Sequence, residues 1–118
     1  MHVIPLIIAG LLGLLHIYIL VLEMFLWTRP YGRRAFGMTQ SQAESTRVLA
    51  ANQGLYNGFL AAGLIWGLWP QPEQRIILAF FFGCIFLAGL YGAATVSRRI
   101  LFIQSVPSMA GLLSLFLL

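Results

Sequence analysis

Between Val3 and Trp27 the chain runs for about 25 residues with only two strongly polar side chains, His16 and Glu23. A helix needs about 20 mostly apolar residues to cross the hydrocarbon core of a bilayer. Three further apolar runs follow, at about 43–69, 75–96 and 100–118, separated by short polar breaks. This arrangement predicts an all-α fold: a four-helix transmembrane bundle forming a single integral membrane domain over residues 1–118.

Composition leaves little room for a water-soluble alternative. Of 118 residues, 60% are hydrophobic and 8% charged, and mean hydropathy is +0.90. Soluble domains carry about 25% charged residues. A soluble protein of this size has too much surface for its volume to hide so many apolar side chains. The first run is read as a retained helix, not a signal peptide. It has no basic segment before it, exceeds the length of a signal's apolar region, and ends without a small-residue cleavage pattern.

The breaks set the expected boundaries. Thr28–Gln42 is polar, basic and contains Pro30 and Gly32, which predicts a loop. Thr39 with Gln42 three residues on forms a capping-box pattern, so the second helix is expected to begin near Gln40 and run to Trp69. At 1.5 Å per residue it would stand about two turns clear of the membrane on the cytoplasmic side. Pro70-Gln71-Pro72 ends it, because proline lacks an amide donor and restricts the residue before it. Ser97-Arg98-Arg99 turns the chain into the last run, where Pro107 predicts a kink.

All seven basic residues are arginines. Arg29, Arg33, Arg34 and Arg47 flank the first break, Arg98 and Arg99 the third, and Arg75 alone the second. The positive-inside rule then places the N- and C-termini outside and both basic loops in the cytoplasm of a bacterial inner membrane, as a multi-pass protein. Trp27, Trp66 and Trp69 fall near span ends, where aromatic belts form. Dispersed arginines beside apolar runs do not make a nucleic-acid surface. Cys84 is the only cysteine and gives neither a disulfide framework nor a metal motif.

Polar side chains inside the spans are the candidates for function, since lipid penalises them. His16 and Glu23, seven residues apart, share one face of the first helix, with Glu23 about 10 Å nearer the cytoplasm. In the second helix Asn52, Gln53, Tyr56 and Asn57 fall within about 140° of arc at 100° per residue. Gly54, Gly58, Ala61 and Ala62 lie roughly opposite and permit close helix approach. Two readings of the amide arc stay open: an interhelical hydrogen-bond network, or the lining of a polar pocket with His16 and Glu23 across from it. For Glu23 the competing role is an ion pair with Arg47, Arg98 or Arg99. In the third helix Gly83, Gly89 and Gly92, with Tyr91, read as packing positions. No phosphate loop, dinucleotide fingerprint or nucleophile–base pair is present.

The segment Asn52-Gln53-Gly54-Leu55-Tyr56-Asn57-Gly58-Phe59, with His16 and Glu23 upstream, resembles a bacterial family of small four-helix membrane proteins known as a domain of unknown function. That resemblance spans nearly the whole chain and implies architecture without an activity. Gly32-Arg33-Arg34-Ala35-Phe36 and the stretch Arg47 to Asn52 are similar in layout to the membrane-associated proteins in eicosanoid and glutathione metabolism. This second resemblance implies four helices, a trimer and glutathione as cofactor, with Arg47, Asn52 and Tyr91 as the positions that carry over. The chain departs from that pattern in lacking a glutamate after Asn52.

Three functions follow as expectations. The first is a small homo-oligomer, dimer or trimer, with an intramembrane pocket for a small or amphiphilic ligand bounded by His16, Glu23, Arg47, Asn52, Gln53, Tyr56, Asn57 and Tyr91. The second is a glutathione-transferase-like membrane enzyme. The third is a proton-coupled exporter with Glu23 carrying the proton.

Overall fold

Where each helix starts and stops follows from a few capping residues. A computed structural model describes residues 1–118 and contains five α-helices, one π-helical turn and no strand. The helices are α1 (Val3–Met24), α2 (Pro30–Phe36), α3 (Gln40–Leu68), α4 (Gln74–Thr95) and α5 (Val106–Leu117); the π turn is Leu101–Ser105. Of these, α1 and α4 are each long and apolar enough to cross a membrane. In α3 the amides of Asn52, Gln53 and Asn57 dilute the apolar run.

The expected loop at Thr28–Gln42 is corrected by α2. Pro30, read as a breaker, occupies the first turn of this helix, where its missing N–H costs nothing and its fixed φ favours the helix. Arg29 before it is extended, at φ −79° and ψ 158°, as a residue preceding proline should be. Gly37 ends α2 at φ 63° and ψ 40°. Its N–H donates to the Arg34 carbonyl and the Met38 N–H donates to the Arg33 carbonyl at 2.9 Å, which together make a Schellman cap.

The capping box at the start of α3 is present in both directions. The Thr39 N–H donates to Gln42 Oε1 at 2.9 Å, and the Gln42 N–H donates to Thr39 Oγ1 at 3.1 Å. At the far end the Gln71 side-chain amide donates to the carbonyls of Trp66 at 2.9 Å and Trp69 at 3.1 Å. Acceptors left over at the helix terminus are thereby satisfied.

The chain forms two compact units, Leu14–Ala61 and the combination of Met1–Gly13 with Ala62–Leu118. In the second of these, Leu64, Leu78, Phe82 and Ile85 are fully buried, and the Phe82 ring lies over Gly111 of α5. The buried Ser105 hydroxyl donates to the Phe86 carbonyl at 2.9 Å, fastening the π turn to α4. Pro107, where a kink was expected, lies two residues after this turn, in the first turn of α5. Proline cannot donate to the preceding turn, and the widened π geometry absorbs the gap.

The unit Leu14–Ala61 is built on α1 and α3. Buried Leu22, Ala43, Ala50 and Ala61 form its apolar core. A Cβ on Gly54 would press on the side chains of Met24 and Glu23 and on the Leu20 carbonyl, and one on Gly58 would press on Leu20. The small-residue face of α3 is therefore the face that meets α1, which is what small residues allow between helices.

Candidate functional site

Glu23 lies on the last turn of α1 and is only 6% exposed. Close approach at Gly54 brings α3 within reach of it. One turn further along α3, Asn57 donates its side-chain amide to Glu23 Oε1 at 2.7 Å. The same Nδ2 also donates to the Gln53 carbonyl one turn back, at 3.0 Å. Asn57 is thus steadied by its own helix while it presents a donor to the acid. A buried carboxyl needs such a partner, because leaving it unmatched costs several kcal/mol. Arg47, a candidate ion-pair partner for Glu23, is exposed and makes no ion pair.

Gln53 joins this pair to a recess on the same unit. A cavity of about 580 Å³ is bounded by Trp27, Phe36, Met38, Gln42, Thr46, Leu49, Ala50 and Gln53, with Gly37 at its edge. The Trp27 and Phe36 rings lie 4.8 Å apart, centroid to centroid, and tilted by 49°. Trp27 Nε1 donates to Thr46 Oγ1 at 2.9 Å, and Thr46 Oγ1 in turn donates to the Gln42 carbonyl at 2.8 Å. The tryptophan is held with its ring toward the recess. The lining is thus mostly apolar with a few fixed polar groups, the usual make-up of a small-molecule site.

The structure brings together some of the expected site residues and separates others. Glu23 and Asn57 pair, with Gln53 adjoining through its carbonyl. His16 is fully buried in α1, two turns from Glu23. Asn52 and Tyr56 stay exposed on the side of α3 away from Gly54, with Tyr56 63% exposed. Arg47 is exposed on α3, and Tyr91 is 74% exposed on α4. The recess itself went unread in the sequence, where Trp27 was assigned to an aromatic belt. Gln42, Thr46, Leu49 and Gln53 follow helical spacing and could have marked the stripe. What gives the stripe a facing wall is α2, which was read as loop.

These features define an all-α protein with two helices able to cross a membrane by length and composition, and with a buried acid–amide pair beside an amphipathic recess. The chain belongs to the family of proteins of unknown function DUF1304, whose pattern matches residues 10–116. It is 31% identical over 118 residues to the uncharacterized protein YpaA of Lactococcus lactis subsp. lactis, covering 98% of this chain and 99% of that one. No solved structure matches.

Proposed function

We propose that this is a four-pass protein of the bacterial cytoplasmic membrane that holds an amphiphilic small molecule in the recess walled by α2 and the first half of α3. Several observations support membrane insertion. Only 28% of the most apolar stretch of α1, and of α4, is buried within the chain, whereas the core helix of a soluble protein would be mostly covered. Leu11, Leu14, Phe80 and Leu87 are each more than 60% exposed. Lipid is the solvent that tolerates such a surface. With α3 and the run through α5 as the remaining spans, the arginine distribution puts α2 and the start of α3 at the cytoplasmic boundary.

The observation that carries the ligand reading is the double role of Gln53. Gln53 lines the recess, and its carbonyl accepts the amide that holds Glu23. An occupant would meet the aromatic wall of Trp27 and Phe36 and the polar groups of Gln42, Thr46 and Gln53 at the depth where headgroups give way to acyl chains. A chain this small, with three amides in one span, is expected to work as a homo-oligomer.

Fluorescence tests this directly. Trp66→Phe with Trp69→Phe leaves Trp27 as the sole tryptophan. A lysophosphatidylglycerol carrying a brominated acyl chain should quench Trp27 saturably in nanodiscs, and Phe36→Ala should weaken the apparent affinity about fivefold or more. Quenching that only rises in proportion to bulk brominated lipid, unaltered by Phe36→Ala, would remove the proposal.

A further inference from the structure

The exposed side of α3 carries a periodic feature that shares only Leu49 with the recess. Ser45, Leu49, Asn52, Tyr56 and Phe59 follow one another at spacings of four, three, four and three residues, and all five are exposed. That is the seam spacing of helices that supercoil around one another with left-handed packing. Leu49 is 73% exposed, Tyr56 63% and Phe59 53%. Tyr56 and Phe59 meet edge to face at 5.7 Å, which stiffens two neighbouring positions of the seam. Asn52, at its centre, has no hydrogen-bond partner in its own chain.

We infer that this seam is where a second copy of the chain docks, in parallel, with Asn52 bonded to Asn52. The inference rests on the membrane reading above. Asn52 lies within the second apolar run, on α3, where an exposed carboxamide lacks the water it would need. A carboxamide both donates and accepts, so it is complementary to its own image. Copies of one protein enter a bilayer in a single orientation. Any closed assembly about an axis along the membrane normal therefore sets each residue at the same depth as its counterpart. A second copy is the partner guaranteed to offer an amide at the depth of Asn52. No charged residue lies between Val48 and Trp69 to oppose the contact. Asparagine at such a position is a recognised way to fix helix register and oligomer state.

The test uses full-length protein with Cys84→Ser, inserted in bacterial membranes. Single cysteines are placed at Leu49, Tyr56 and Phe59 on the seam, and at Leu55 and Ile65 off it, then oxidised. Efficient cross-links at the seam positions, at twice the chain mass, with Leu55 and Ile65 several-fold lower, are expected. In the Phe59→Cys background, Asn52→Ala should lower the cross-linked fraction about threefold to thirtyfold and Asn52→Gln should restore it. Thermal stability of the monomer should not move with Asn52→Ala, since the side chain is exposed and makes no hydrogen bond within its own chain. Cross-linking without periodicity, products of another mass, or indifference to Asn52→Ala would overturn the inference. If that happens while α1 and α4 still prove membrane-embedded by cysteine labelling, the docking surface fails alone; if they label as water-exposed, the membrane reading fails with it.

Discussion

Asn57 gives the buried Glu23 carboxylate its hydrogen bond, at 2.7 Å, across the contact between α1 and α3. Removing the donor leaves the acid buried and unmatched. Asn57→Leu should therefore cost about 1–3 kcal/mol of stability, read by thermal unfolding in detergent micelles. Glu23→Gln keeps an acceptor at that position and should cost less than about 1 kcal/mol. The pair Glu23→Leu with Asn57→Leu should be milder than the sum of its singles, because neither polar group is then stranded.

Glycine positions that look alike in sequence should behave in opposite ways. A side chain at Gly54 meets Glu23, Met24 and the Leu20 carbonyl, so Gly54→Leu should force α1 and α3 apart and cost about 1–3 kcal/mol or more. Nothing lies within 4 Å of a Cβ at Gly83. Gly83→Ala should leave stability unchanged or raise it by up to about 1 kcal/mol, the helix-propensity difference. Denaturation of the two variants side by side separates the cases.

The end of α2 depends on a left-handed residue. Gly37→Ala at φ 63° should cost about 1–2 kcal/mol locally, and hydrogen exchange should show it as faster exchange at the Gly37 and Met38 amides. Because α2 walls the recess, the same variant should weaken saturable quenching of Trp27 by the brominated lipid.

Orientation can be tested with single cysteines in a Cys84→Ser background. Ser41→Cys should react with an impermeant maleimide only after the inner membrane is breached, and Gln71→Cys before it. Equal labelling of both in intact spheroplasts would contradict the four-pass arrangement.

Much of the helical framework was legible because it is written in local chemistry. Thr39 and Gln42 announced the start of α3, and Pro70 and Pro72 its end. α2 was not legible, because Pro30 can either break a helix or begin one, and only the Gly37 cap seven residues later decides. The faces of α3 were harder still. Its amides and glycines were separable by angle, but angle alone does not say which face meets α1. The packing of Gly54 and Gly58 on α1 answers that, with Asn57 at the border able to reach Glu23. Asn52 and Tyr56 are left on the far side.

The π turn at Leu101–Ser105 lets the final stretch of chain carry one residue more without changing the face it buries. Such a turn holds one residue more than the ordinary turn it replaces, and each residue advances the helix by about 100°. Ser108, Gly111, Ser114 and Leu115 are buried, and the wide turn takes up the surplus residue without rotating them away. Deleting the surplus residue would restore an ordinary turn and leave those four facing inward. At its exposed tip, residues 116–118, this helix can be lengthened or shortened at small cost. An extra residue between the π turn and Ser108, taken up as ordinary helix, acts instead as a rotation of about 100°.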